Sequence, residues 1–444
     1  MRQTELPPSL VLRHPLGRWV EPAQAWAGLL VDEPNSFWLD SGQDSGVSYL
    51  GASSRVISGP DVFDRLRNEL PTPRIADDTG DGFSLGWVGW LGYELRETTL
   101  GTPVSRNSRY PVSALMFADR ALAFDHDSRE VTLLALGAVW IGEVAEWRSQ
   151  VIAALEVERP LPVHTPADAP TTWAVTDDRY LELIGECQVA IHAGEAYQLC
   201  LTNEASVDVR PDPFAAYLSL RAASPAHHGG LIRVGDVALL SASPEQFLSV
   251  TPDGVVESKP IKGTRARGAT AADDDAFRAE LLASDKELAE NLMIVDLMRN
   301  DIGRVSEIGS VAVPSLFAVE SYAQVHQLVS TVRGQLSSDL SSVDAVVACF
   351  PAGSMTGAPK RNATLILDSL ENRPRGIYAG AFGYFGLDGR VDLAMVIRSI
   401  VLDDGGATLG AGGGITALSV PLEELAEVKL KAAALLAVLT TRAP

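Results

Sequence analysis

The stretch Ile377-Tyr-Ala-Gly-Ala-Phe-Gly-Tyr-Phe-Gly386, then Leu387-Asp388-Gly389-Arg390, then Val391-Asp-Leu-Ala-Met-Val-Ile-Arg-Ser-Ile-Val-Leu402 sets the fold class. Two apolar runs rich in β-branched and aromatic residues flank a short polar segment. Its Asp-Gly pair favours a tight antiparallel hairpin, because glycine tolerates positive φ. Thr408 to Ile415 reads as a further strand and Leu422 to Leu439 as a closing helix. Upstream, short strand-like runs recur between Phe37 and Trp140, among them Ser36-Phe37-Trp38-Leu39 and Leu85-Gly86-Trp87-Val88-Gly89-Trp90. A helical stretch lies near Ala145 to Glu156, and Pro160 to Thr172, rich in Pro, Ala and Thr, reads as a linker or crossing loop. Asp177 to Gly194, Asp274 to Ala283 and Ser284 to Met298 have helical character, and Tyr197 to Asn203 and Phe247 to Val250 that of strands. Antiparallel sheet mixed with long helices is an α+β architecture.

Composition narrows the function. The chain has 444 residues, of which 46% are apolar, so a large core is available, in one elaborate domain or in two or three ordinary ones. A formal charge of −21 argues against nucleic acid and against an anionic membrane surface as partners. An anionic substrate would have to be held by local cations, amide donors or a metal ion. Cys187, Cys200 and Cys349 are scattered and odd in number, which supports neither a disulfide framework nor a thiolate zinc site. Met1 to Leu10 lacks a basic-then-apolar leader pattern, and Ala432 to Leu439 is too short to span a bilayer. A cytoplasmic protein is expected.

Several segments carry chemistry. In Lys259-Pro260-Ile261-Lys262-Gly263-Thr264, Pro260 fixes one backbone angle and Gly263 permits close approach of another group. A lysine held there is either a nucleophile or an ordinary loop lysine. Glu287 and Glu290 lie three apart on one helical face, and Glu424 and Glu427 repeat the spacing, with Lys431 one turn further on. Two such helices with no nearby Cys or His favour a hard, oxygen-preferring cation, Mg²⁺ first; the alternative is a pair of solvated acidic faces. Gly410-Ala411-Gly412-Gly413-Gly414-Ile415 is either an anion-binding nest of amides or a flexible hairpin loop. Phe350 to Lys360 is a turn-rich loop before a helix, with hydroxyls and amides suited to an anion. Arg398 interrupts an apolar run, so it faces either an internal partner or a ligand cavity.

Ser243-Pro244-Glu245, Pro260 to Thr264, Lys286-Glu287-Leu288-Ala289-Glu290, Val295 to Asp301, Gly353 to Lys360 and Gly376-Ile377-Tyr378-Ala379-Gly380 occur in the order seen in chorismate-utilising enzymes. The resemblance is close over Asp177 to Leu439 and weaker through Phe37 to Gly42 and Gly86 to Leu95. It implies large antiparallel sheets packed as a sandwich with helices outside, as in anthranilate synthase component I. Residues 1–160 would be an intimately packed N-terminal region and 173–440 the chorismate-binding catalytic domain. It also implies Mg²⁺ bridging the substrate's ring carboxylate to Glu290 and Glu427, supported by Glu287 and Glu424. Lys262 would be a covalent nucleophile at ring C2, and Glu245 the general acid that protonates the departing C4 hydroxyl. Tyr378, Arg398 and the Gly412, Gly413 and Gly414 amides match positions that hold the enolpyruvyl carboxylate. Thr264 and Ser354 match positions near the ring carboxylate, and His326 matches a histidine near the ring. Lys431 would bind a carboxylate or balance its acidic helix.

Two positions separate the branches of this family. Members that form anthranilate typically carry alanine where this chain has Lys262, and members that add water carry a lysine base where it has Gln198. Glutamine cannot serve as that base. The combination resembles the branch that aminates chorismate to 4-amino-4-deoxychorismate, with anthranilate formation as the alternative. Ammonia would come from a separate glutamine amidotransferase subunit. Leu39-Asp40-Ser41-Gly42 only partly resembles the tryptophan-pocket strand of related enzymes, and an ordinary edge strand and turn is the preferred reading.

Overall fold

The computed structural model describes residues 11–42, 45–70, 82–322 and 325–442; Met1 to Leu10, read above for a leader, lie outside them. The Asp-Gly hairpin forms as expected. Ala381–Gly386 and Val391–Met395 pair antiparallel, Ala381 opposite Met395 and Phe385 opposite Val391. This hairpin lies within a 10-stranded sheet that also contains Gly86–Leu91, Gln246–Val250, Val325–Gln335 and, at one edge, Ile261–Ala266. A second, 12-stranded sheet carries Asn35–Asp40, His228–Val234, Val237–Ser243, Ser399–Asp403, Gly406–Ile415 and Gln198–Val207 in that spatial order.

Alternation along the strands gives each sheet two apolar faces. The inner faces meet in a core built from both sheets: Phe37, Ile232, Leu239 and Val401 from one, Val88, Trp90, Phe382 and Tyr384 from the other. The outer face of the 12-stranded sheet buries Trp26, Tyr180, Leu183, Tyr217 and Leu435, which arrive on helices. The outer face of the 10-stranded sheet is covered by helical residues such as Phe63, Ile294, Met298 and Val346. The result is an α+β sandwich with helices outside. Strands from the first 160 residues enter both sheets: Asn35–Asp40 pairs with His228–Val234, and Gly86–Leu91 pairs with Ala381–Gly386.

Two readings of the C-terminal third change. Val391 to Leu402 is two strands in two different sheets, broken at Val396–Arg398. Arg398 turns the corner with φ 51, a left-handed conformation that a non-glycine residue adopts only when its surroundings impose it. The strand expected from Ile377 likewise begins at Ala381, after Ala379 at φ 64. The glycine run is not a hairpin loop. Gly410 to Gly414 lie inside the strand Gly406–Ile415, paired with Gln198–Val207 from Ala407 through Ile415. On its other side that strand pairs with Ser399–Asp403 only as far as Thr408, which leaves the edge beyond it open.

These glycines are there for space. A Cβ on Gly410 would enter the Tyr378 ring, and one on Gly412 would lie 2.6 Å from the Leu201 carbonyl. One on Gly413 would lie 2.9 Å from Glu424 Oε2, and one on Gly414 would collide with the Gln198 amide. Gly410→Ala is therefore expected to cost about 1–3 kcal/mol in denaturant unfolding, the usual range for overpacking. Most of that loss should return when Tyr378→Ala is added to open the space, measured as a double-mutant cycle.

Candidate active site

The chain passes between the sheets twice at one place. Val237–Ser243 hands over to Gln246–Val250 through Ser243-Pro244-Glu245, and Val391–Met395 hands over to Ser399–Asp403 through Val396 to Arg398. The two crossings run side by side. Ala242 N–H donates to the Arg398 carbonyl at 3.1 Å, and Met395 N–H donates to the Glu245 carbonyl at 3.0 Å. The side chains of Glu245 and Arg398 thus project from one double corner, where neither sheet's ladder constrains them.

Lys262 reaches the same region through a β-bulge. Ile261 pairs with Val329 and Thr264 with Gln327, so Lys262 and Gly263 together face the single residue Leu328. Gly263 supplies the left-handed φ of 83 that such a bulge uses. The close approach that it permits is that of Glu287, whose Oε2 would lie 2.7 Å from a Cβ at position 263. Asn291, fully buried, braces the turn: its amide donates to the Pro260 and Leu328 carbonyls at 3.5 Å, and its oxygen accepts from Ser330 Oγ at 2.5 Å.

Glu245 is 7% exposed and accepts a hydrogen bond from Ser354 Oγ at 3.2 Å. Burial pushes its carboxyl up to about 7, against the opposing pull of Lys262, Ser354, the Ile261 amide and Lys431. Burial also raises Glu290, again opposed by Lys262 and Lys286, with the like charges of Glu424 and Glu427 adding to the rise. Burial pushes Glu427 up as well, but Lys431, Lys286 and Lys262 outweigh it and hold the carboxyl below its ordinary value. One lysine charge is therefore felt by Glu245, Glu290 and Glu427 together.

The four helix acids sit close in field but apart in contact. Among the described residues, no three His, Cys, Asp or Glu side chains converge within coordinating reach. Three of the acids have cations of their own. Arg265 Nη1 meets Glu287 Oε1 at 2.8 Å, Lys286 Nζ meets Glu424 Oε1 at 3.3 Å, and Lys431 Nζ meets Glu427 Oε1 at 2.6 Å. Glu287 Oε2 is buried without a partner, and Glu424 is 3% exposed, so oxygen remains available for a hard cation.

The other expected residues divide. Ser354 and Tyr378 are buried near the double corner, and Tyr378 and Glu427 both bias the Arg398 guanidinium electrostatically. The Gln198 amide is buried with neither end hydrogen-bonded, beside Gly414. Lys431 Nζ also donates to the Gly412 carbonyl at 2.9 Å. Thr264 is exposed on the bulged edge strand. His326 is fully buried with both ring nitrogens engaged, by Ser321 Oγ at 2.8 Å and Asp274 Oδ1 at 2.9 Å. Those bonds make it a tie between the edge strands and the helix Ala271–Ala283. Lys360 points inward, donating to the Cys349 and Pro351 carbonyls at 2.7 Å beside Asp301, so it fixes the loop and is not free for an anion.

The supporting network was not foreseen. Arg375 pairs with Glu371 at 2.8 Å and donates to the Met355 and Cys200 carbonyls, fastening the Ser354 turn to the strand Gln198–Val207. Glu371 also accepts from Thr202, and Glu94 receives the Arg375 and Gly376 amides at 2.7 and 3.0 Å. Glu371 and Arg375 are four apart, a spacing that could have signalled the pair. Nothing local points to Glu94.

Glu245 and Arg398 stand at a sheet crossing, and the charge of Lys262 reaches Glu245 and the helix acids Glu290 and Glu427. This makes the corner the candidate active site of an enzyme on an α+β sandwich. The model for chorismate binding enzymes matches residues 18–437, and the chain belongs to that family. It is 44% identical over 455 residues to the aminodeoxychorismate synthase of Streptomyces pristinaespiralis, an alignment covering 94% of this chain and 63% of that relative's length. It is 33% identical over 477 residues to anthranilate synthase component 1 of Mycolicibacterium smegmatis, covering 96% and 90%. The crystal structure of anthranilate synthase component I from Streptococcus pneumoniae superposes with a TM-score of 0.75 at 28% identity, covering 91% of this chain and 92% of that one. The chain thus spans less than two thirds of the length of the aminodeoxychorismate synthase it matches.

The Glu245 environment gives a testable titration. The folded carboxyl holds its proton to about pH 7, well above the roughly 4.3 of an unfolded glutamate. The folded state thus binds the extra proton between those values, and stability falls as pH rises from about 4.3 through 7. An infrared titration of wild type minus Glu245→Gln should locate the carboxyl band's midpoint near pH 7. Lys262→Met should move it upward, since that cation stabilises the carboxylate. A midpoint near 4 would show the site to be wetter than its burial indicates.

Proposed function

We propose that the chain aminates chorismate to 4-amino-4-deoxychorismate, with Mg²⁺ as cofactor and ammonia delivered by a separate glutamine amidotransferase. The observation that carries this reading is Lys262, set in a glycine bulge from which its charge acts on Glu245, where the family's anthranilate-forming branch typically has alanine. The similarity to an aminodeoxychorismate synthase over nearly the whole chain points the same way.

Chorismate's C4 hydroxyl leaves poorly and needs a proton as it departs. Glu245, still protonated near neutral pH, is suited to give one, with the Ser354 hydroxyl fixing its orientation. Lys262, after giving up its ammonium proton to solvent, would add as the free amine at ring C2. The ring double bonds shift as the C4 hydroxyl leaves as water with the Glu245 proton. Ammonia then adds at C4, the double bond shifts back, and the lysine is released. Arg398, on the open side of the corner, and the Lys431 ammonium would hold the substrate's carboxylates, with the Tyr378 ring packed behind. Gln198 presents an amide with no basic nitrogen, so no residue at that position activates water.

The metal reading rests on the donor set. Glu287, Glu290, Glu424 and Glu427 offer oxygen alone, with a buried orphan oxygen on Glu287 and the bare Gly413 beside Glu424. Mg²⁺ held there would neutralise and orient the ring carboxylate. The cysteines of this chain are not suited to hydrolysing glutamine: all three are free and buried, and burial pushes Cys187 and Cys349 up to about 12. None is a thiolate able to attack glutamine.

Purified protein with chorismate, Mg²⁺ and ammonium salt should give a product that a lyase converts to 4-aminobenzoate, and glutamine alone should give none. Fluorescent anthranilate as the sole product would reverse the assignment. Lys262→Ala should lower kcat by at least about 10²-fold, and mass spectrometry of quenched wild type should detect a chorismate-derived adduct on Lys262. With free ammonia held constant, kcat/KM should fall as pH rises through about 7, because Glu245 loses its proton there.

A further inference from the structure

Lys286 has no role in the chemistry above, yet it joins the two acid-bearing helices. It leaves the helix Asp285–Gly303 one residue before Glu287 and reaches Glu424 on the helix Pro421–Leu439 at 3.3 Å. Its geometry differs from that of the neighbouring ion pairs. Lys431 meets Glu427 one turn along the same helix, and Arg265 meets Glu287 from the adjoining strand. Lys286 instead brings a cation from the solvent side, 53% exposed, onto a carboxylate that is only 3% exposed.

Glu424 has few other means of carrying its charge. Ser419 Oγ donates to Oε1 at 2.7 Å, and Oε2 faces Gly413 with no hydrogen bond from the described residues. A buried carboxylate left with a single hydroxyl would be strongly destabilising. Glu290 and Glu427 also feel the Lys286 charge, so this one ammonium offsets three acids at once. A divalent ion drawing on Glu424 would be repelled by a monocation already 3.3 Å from one of its oxygens, so the two compete for the carboxylate. Lysine is suited to leave, since its ammonium is readily rehydrated and its stem turns freely.

We propose that Lys286 is a displaceable counter-cation: it neutralises Glu424 and ties the two acidic helices while no metal is bound, and it returns to solvent when Mg²⁺ enters. The proposal rests on the reading of those acids as the metal site. It makes Lys286 a positioning residue that sets metal affinity by competition and makes no contact with substrate.

The test is calorimetric titration of the full chain with Mg²⁺ in the absence of substrate. Lys286→Met should bind Mg²⁺ about fivefold more tightly than wild type, the equivalent of one lost competing ion pair. Lys286→Arg, which keeps the charge, should return affinity to the wild-type value. Lys429→Met removes an equal charge from the helix that carries Glu424, on the face that meets Asp177 and Trp173, and should change affinity less than about twofold. In chelator the Lys286→Met protein should melt below wild type, and saturating Mg²⁺ should raise its melting temperature more. Equal or weaker Mg²⁺ binding by Lys286→Met would overturn the proposal, as would an equal gain in Lys429→Met. Glu290→Gln separates the two readings. If it weakens binding while Lys286→Met changes nothing, the metal site stands and the counter-cation falls. If Mg²⁺ binds neither wild type nor Lys286→Met, both fall.

Discussion

Two hydrogen bonds at the double corner, Ala242 N–H to Arg398 O and Met395 N–H to Glu245 O, bear more on this molecule than their number suggests. A closed sandwich has no room inside for a polar site, and its ladders occupy the backbone groups. Where chain passes from one sheet to the other, the ladder must stop, and backbone and side chains there become available. Placing two such passages together, each satisfying the other's orphan groups, opens the interior without leaving it unpaired. The positive φ of Arg398 belongs to the same constraint: a left-handed residue is tolerated where flanking strands on both sides fix the path.

Charge follows from that geometry. Acids gathered where water is partly excluded must be protonated, paired or bound to a metal. The first two are seen here. Glu245 keeps its proton, Glu371, Glu424 and Glu287 have cations, and Glu287 also retains an oxygen with no partner. Lys262, Lys286 and Lys431 recur among the groups acting on these acids, so the lysines bias the protonation states of the whole cluster. The Glu371–Arg375 pair differs in kind. It is wholly buried, satisfied on every side, and holds the floor of the site in place.

The α+β class, the hairpin at Asp388-Gly389 and the long helices were legible in the sequence because each rests on local periodicity or turn chemistry. The break at Val396 to Arg398 was not, since an apolar run interrupted by a single arginine is what either one long strand or two strands in different sheets would show. Glycine spacing at 410 to 414 left a hairpin loop open, yet the run is extended strand with bulky neighbours from elsewhere in the chain. Only tertiary contact distinguishes the two. Lysine and acids were found by motif, whereas their partners Lys286, Arg265 and Arg375 were hidden because ion pairing across elements leaves no periodic trace. His326 matched a family position, and its two occupied nitrogens could be read only from the fold.

The bulge at Lys262 and Gly263 has a consequence for how such a protein could change over time. Residues inside a ladder are chosen twice, once by their sheet neighbours and once by whatever they do for the organism. The side chain at 262 is spared the first choice, because the bulged pair faces one residue across the strand and the turn is secured by Gly263, Pro260 and Asn291. Amino acids of different size can be tried there without breaking a ladder pair, although a change of charge is felt by Glu245, Glu290 and Glu427. A single codon could then redirect the reaction while the scaffold, the acidic helices and the double corner stay as they are. Diversification of chemistry on this fold is thereby separated from the risk of losing the fold.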